Sequence, residues 1–242
     1  MLAFVRVILM TLALVCICTI SCLFCLLRPF HRNNVYFTAK YLGKVTKIFG
    51  LEVDVRIPQS VISLSPVVYI CNHQNSYDIF TVSNAVLPNT VSVGKKSLKW
   101  IPFFGQMYWL TGNILIDRKN TSKAMNTITL TAKKIQDKKL SVWLFPEGTR
   151  SNGRGLLPFK TGAFRTAIQA NVPLVPICAS NMHGSVKLNR WNNGKMIIEM
   201  LDPVFINAQG KDNIRAVVNE THQKMAEKIA ALDSEIKLST NR

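Results

Sequence analysis

A histidine and an aspartate five residues apart, His73 and Asp78, have the types needed for general-base chemistry: a carboxylate that holds one ring nitrogen leaves the other free to take a proton. On one regular helix the two would lie about 140° apart, at about 100° per residue. They meet only if His73 sits in a loop and Asp78 at or near the start of the next helix, where the dipole favours a carboxylate. The alternative is a structural histidine beside a helix-capping aspartate. Further on, Pro146-Glu147-Gly148-Thr149-Arg150-Ser151 holds a guanidinium that can grip a phosphate through two parallel N–H bonds, on a turn shaped by proline and glycine. Arg118 is a candidate second clamp. Lys160, with Gly162 before a helix, adds charge and bare amides suited to an anion. Each has a plainer alternative: Arg118 paired with Asp117, Glu147 bonding loop amides, Lys160 a solvated charge.

The elements that must carry these groups read as strands and helices in alternation. Val67 to Cys71 is a β-branched apolar run ending at Asn72-His73, and Ser141 to Phe145 is another, ending at the Pro146 turn. Ile114 to Ile116 closes on Asp117-Arg118. Glu52 to Ile57, Val91 to Val93, Leu174 to Ala179 and Met196 to Met200 complete the strands. Helices are expected over Asp78 to Val86, from a Ser122 cap to Asp137 or Lys138, over Thr161 to Ala170 and over Asn213 to Ile236. This alternation predicts an α/β sheet with covering helices, and three strands ending in polar clusters fit a site at the carboxyl edge. The Lys95 to Trp109 stretch passes from lysines to a dense aromatic cluster. That cluster is core, a groove for an apolar chain, or a surface that dips into a membrane.

Composition narrows the partners. Thirty Lys and Arg against 13 Asp and Glu give a net charge of +17, which expects an anionic partner. No zinc-finger spacing, RNP-type motif or basic heptad region supports nucleic acid. The six cysteines imply no disulfide framework, and no clustered ligand set calls for a metal or other cofactor. Val7 to Leu27 is uncharged for 21 residues, enough to span a bilayer core. Beyond it, Asn34 to Phe49 reads as a basic amphipathic helix suited to a membrane surface. Residues 1–50 are therefore expected to attach a domain of residues 51–242 to the membrane. More Lys and Arg follow the run than precede it, which places that domain in the cytoplasm.

The His73 to Asp78 block, Gly112-Asn113-Ile114-Leu115-Ile116-Asp117-Arg118, Phe145 to Ser151 and the proline-flanked Val172 to Ile177 resemble, in order, the four blocks of the glycerolipid acyltransferase superfamily. The resemblance spans roughly residues 65 to 180 and is nearest to the superfamily's short bacterial members. It implies a mixed β-sheet flanked by helices. It implies transfer of a fatty acyl group from acyl-CoA or acylated carrier protein to the sn-2 hydroxyl of lysophosphatidic acid, giving phosphatidic acid. His73 would be the base and Asp78 its orienting carboxylate. Arg150, with Glu147, Gly148 and Thr149, would hold the acceptor's phosphate, helped by Arg118 and Lys160. The setting would be the cytoplasmic face of a bacterial inner membrane rich in anionic lipid. A lipid hydrolase would want a G-x-S-x-G elbow, which the chain lacks. An acyltransferase with another acceptor and a non-catalytic lipid-binding scaffold are the remaining alternatives.

Overall fold

A computed structural model describes residues 1–116, 121–206 and 213–240. Among the described residues the strands are β1 (Glu52–Arg56), β2 (Val68–Cys71), β3 (Thr90–Lys95), β4 (Ile114–Ile116), β5 (Ser141–Leu144), β6 (Leu174–Ala179) and β7 (Lys195–Met200). They form one sheet in the order β1-β7-β6-β2-β5-β3-β4. The five strands from β6 to β4 are parallel, while β7 pairs antiparallel with β6 and β1 runs parallel to β7. The α/β sheet with covering helices is thus as the alternation predicts, and its mixed character is as the family resemblance implies. The strands begin and end within one residue of the expected bounds, apart from β3, which runs two residues further at its carboxyl end.

Alternation along β2 and β5 explains the layers. Tyr69, Cys71 and Trp143 face one side, with Val175, Ile177 and Ala179 of β6; Val68, Ile70, Val142 and Cys178 face the other. Burial on both faces is what a central parallel sheet requires. On the second side lie α6 (Thr121–Lys138), α7 (Gly162–Ala170) and α8 (Ile214–Thr240), through Ile135, Phe164 and Met225. Helix α6 already includes Ser122, so that residue lies within the helix rather than at its expected cap.

The other side is covered from the amino terminus, by α1 (Leu2–Leu27), α2 (Asn34–Lys44) and the short α4 (Asp78–Thr81). Leu42, Val45 and Phe49 enter the core. The apolar stripe of α2 is therefore turned into the protein, and its outward side carries Lys40, Tyr41 and Lys44. A stripe of that kind seeks apolar cover, and here the domain supplies it. Helix α1 lies along the domain. Met10, Ala13, Leu14 and Ile17 pack against the core, and the Ser21 and Thr38 hydroxyls bond at 3.0 Å. Its outer side stays apolar and exposed, with Phe4, Leu12, Leu23 and Leu27. Short α3 (Gln59–Ile62) and α5 (Phe104–Leu110) are the remaining α-helices among the described residues.

Candidate active site

The site forms where β2 and β5 end side by side. Their register, Val68 with Val142 and Ile70 with Leu144, brings the turn after β5 against the loop after β2. The two loops are 74 residues apart in sequence and joined by three bonds from backbone amides. The His73 amide donates to Glu147 Oε1 at 2.6 Å, the Ser151 amide to the His73 carbonyl at 2.8 Å, and the Asn152 amide to the Gln74 carbonyl at 2.8 Å. A second set fixes the other flank. Asn72 exchanges two hydrogen bonds with the Ala179 backbone, at 2.8 and 2.9 Å. Buried Gln74 donates to the Ser180 carbonyl and accepts from the Met182 amide. The backbone around the histidine therefore cannot shift without breaking several buried hydrogen bonds.

His73 Nδ1 lies 2.5 Å from Asp78 Oδ2. Asp78 is the first residue of α4, 2% exposed. Its Oδ2 also accepts the amides of Gln74 at 2.7 Å and Asn75 at 3.2 Å. An oxygen receiving two amides acts as a carboxylate acceptor, so the shared proton is assigned to Nδ1 and Nε2 is left as the basic nitrogen. The imidazole stacks on Phe145, centroids 4.1 Å apart. Cys71, two residues before, is fully buried; burial, with Asp78 as a second cause, pushes its thiol well up. It stays protonated and is a poor nucleophile.

Glu147 is buried, and both oxygens are occupied: Oε1 by the His73 amide, Oε2 by the Leu157 amide at 2.9 Å. Burial pushes its carboxyl up, opposed by those two amides. Its place in the structure is to hold the histidine loop and the Leu157 segment together. Gly148 has φ +71°, which glycine takes without strain. A side chain there would also meet the Lys160 ammonium, 2.9 Å from where its Cβ would stand. Lys160 thus covers the turn.

Arg150 is exposed, and its guanidinium donates to Ser76 Oγ at 3.2 Å. Arg154 holds the carbonyls of Ser151 and Arg150 at 2.8 and 3.0 Å. A cavity of about 970 Å³ opens here, with His73, Asp78, Gly148, Thr149 and Arg150 at its polar end. It runs along β3 from Lys95 back to Thr90, beneath α2 and α5. Val93, Ile101, Phe104 and Met107 line this part, whereas Trp100, Phe103 and Trp109 are exposed. The aromatic cluster is therefore divided between groove and surface.

The structure brings His73, Asp78, Gly148, Thr149 and Arg150 to one cavity. Glu147 and Lys160 lie beside it without lining it. Arg118 and Asp117 fall outside the described residues, so the second block is described only through Ile116. Within it, Asn113 Oδ1 accepts from the Ser92 amide and hydroxyl, and the Lys134 ammonium donates to the Gly112 carbonyl at 2.8 Å. Sequence reasoning missed Asn72, Gln74 and Arg154 as positioning residues. Their only signal was nearness to His73 and Arg150, because their partners are backbone groups, for Asn72 and Gln74 in β6 and the segment after it. Among the described residues no group of three His, Cys, Asp or Glu could hold a metal ion.

Residues 52–180 match the family model described as acyltransferase. The chain is 48% identical over 236 residues to a 1-acyl-sn-glycerol-3-phosphate acyltransferase of Haemophilus influenzae, covering 98% of both chains. It is 47% identical to that of Escherichia coli strain K12, covering 98% of this chain and 96% of the relative. The fold is similar to the crystal structure of a 1-acyl-sn-glycerophosphate (LPA) acyltransferase of Thermotoga maritima, with TM-score 0.69, 21% identity and coverage of 95% and 98%.

Proposed function

The chain belongs to the acyltransferase family, and from that premise we propose that it acylates the sn-2 hydroxyl of 1-acyl-sn-glycerol 3-phosphate to give phosphatidic acid. The relatives bearing that name match over nearly the whole chain. One observation carries the chemistry: the His73–Asp78 pair lines a mostly apolar cavity that Arg150 lines as well.

The reaction follows from these parts. Asp78 holds Nδ1–H, so Nε2 of His73 removes the proton of the acceptor hydroxyl as its oxygen attacks the thioester carbonyl. The tetrahedral intermediate collapses, the carbon–sulfur bond breaks, and His73 returns the proton to the departing thiolate. The acceptor is itself the nucleophile, so no covalent acyl-enzyme forms, in keeping with the protonated, buried Cys71. Arg150 and the Gly148–Thr149 turn hold the acceptor's phosphate, with Lys160 and Arg118 as helpers. Fixing the phosphate fixes the distance from hydroxyl to Nε2, and such positioning can supply up to about 7–11 kcal/mol. The apolar length of the cavity takes an acyl chain.

The donor is acyl-CoA or acylated carrier protein, both anionic and matched by the net charge of +17. The enzyme works at the cytoplasmic face of the inner membrane. Helix α1 suits an apolar surface by length and composition. Its inward packing favours lying on one leaflet over crossing, with residues 1–50 as the attachment and 51–242 as the catalytic domain.

The test is acyl transfer to lysophosphatidic acid by detergent-solubilised full-length protein, with the two donors offered separately. Phosphatidic acid is expected from the wild type and not from His73→Ala. Absence of product from the wild type with both donors would overturn the acceptor assignment.

A further inference from the structure

Helix α1 contains one charged residue, Arg6, and it points into the protein at 4% exposure. Its guanidinium donates to the carbonyls of Leu188, Arg190 and Trp191, the first at 3.2 Å and the last at 2.8 Å. It also lies 5.8 Å from the centre of the Trp191 ring. Three carbonyls turned to one guanidinium make a fixed loop, and other bonds brace it. Buried Asn193 donates to the carbonyls of Phe49 and Lys187 and accepts the Lys187 amide. Gly50 leaves room for the Trp191 carbonyl, which would otherwise stand 2.1 Å from a Cβ. The backbone is thus anchored from beneath, yet the Trp191 side chain is 79% exposed, with exposed Lys187 and Arg190 beside it. A large aromatic group held outward by a braced loop is not explained by the core of the domain.

Its neighbours suggest what covers it. Trp191 stands by the amino end of α1, whose outer side is apolar. At the carboxyl end Phe30 packs edge-on to Trp109, which is 53% exposed, and Lys99 lies over Trp100, 76% exposed. The helix is about 39 Å long at 1.5 Å per residue. Tryptophans with cations beside them at both ends of an exposed apolar helix match the headgroup layer, where indoles and basic side chains are favoured. We infer that the Leu188–Trp191 loop is a second membrane anchor, docked on α1 through Arg6, which seats Trp191 in the headgroup layer of an anionic bilayer. With it, α1 is held flat between two aromatic contacts. This rests on the membrane-surface reading given above.

The experiment uses the full chain and vesicles of phosphatidylcholine and phosphatidylglycerol, with and without brominated acyl chains that quench indole fluorescence. Wild type is compared with Trp191→Phe, and Trp191→Ala is used for binding. The difference signal between wild type and Trp191→Phe is expected to be quenched by the brominated vesicles. Trp191→Ala is expected to need roughly 3–10-fold more lipid for half-binding, less than full burial of such a side chain would give. Transfer in detergent should be unchanged in both variants, which also shows that they fold. A wild type that binds vesicles while its difference signal is unquenched overturns the loop assignment and leaves the role of α1 standing. A wild type that binds no vesicles overturns both. Unaltered vesicle binding of Trp191→Ala with slower transfer from acylated carrier protein would assign the loop to a protein partner instead.

Discussion

The two halves of the site are built on opposite principles. Around His73 every polar backbone group named above is bonded, and Asp78 and Glu147 are buried behind the ring. Around Arg150 two charges stand in solvent, that of Arg150 on a turn held by Arg154 and that of Lys160, which covers the turn. A general base must meet its proton within a few tenths of an ångström, and only a braced, desolvated loop holds it there. The proposed anion holder must take up and release a charged group. A buried guanidinium without its anion would carry a desolvation cost that an exposed one avoids. The half proposed to transfer the proton is therefore fixed by many bonds, and the half proposed to hold the phosphate is left open.

Removing the proposed base should have the largest effect: His73→Ala is expected to lower kcat by about 10²–10⁴-fold. Vesicle binding should be retained, as sedimentation with liposomes would show. Asp78→Asn should fall in or just below that range, because an amide no longer fixes the imidazole tautomer. Its pH–rate profile should shift as well, and an unshifted profile would mean Asp78 serves only to start α4.

On the open half the loss should appear as affinity. Arg150→Ala should raise KM for lysophosphatidic acid about 10–100-fold, the worth of charge-assisted hydrogen bonds. Arg150→Lys should recover only part of it, since lysine lacks the two-pronged geometry. A fall in kcat alone would erase the proposed division of labour.

Glu147→Gln should have the smallest effect and act on stability. One of its two amide partners would face an NH2 group, at a cost of about 1–3 kcal/mol. That corresponds to a fall in Tm of roughly 2–4 °C per kcal/mol for a domain of this size. The pH dependence has a definite sign. Burial raises this carboxyl in the folded state, so the folded state binds more protons than the unfolded one between the ordinary glutamate range and the raised value. Stability contributed by this group is thus present below the ordinary range and lost as pH rises through the window. Thermal unfolding across acidic pH should show that slope in the wild type and less of it in Glu147→Gln.

Much of the site was legible in the sequence because strand ends leave a chemical mark. The apolar runs of β2 and β5 stop at polar clusters, so His73, Asp78 and the Gly148–Arg150 turn, which the structure brings to one cavity, stood out as candidates without coordinates. The positions of Asn72, Gln74 and Arg154 were not, since an asparagine bonding a distant strand looks like any loop asparagine. The N-terminal region shows the same boundary. Its apolar run was plain, but the inward turn of Arg6 and of the α2 stripe was not.

What the sequence alone determined was local: which segments pair or coil, which faces are apolar, and which reactive groups end them, because periodicity and residue type act within a few residues. The tertiary structure alone decided that β2 lies between β5 and β6, that Glu147 reaches the His73 amide, and that α1 lies along the domain. Those outcomes depend on long-range strand pairing and on which surface covers an apolar face, and a hydrophobic pattern states only that the face must be covered.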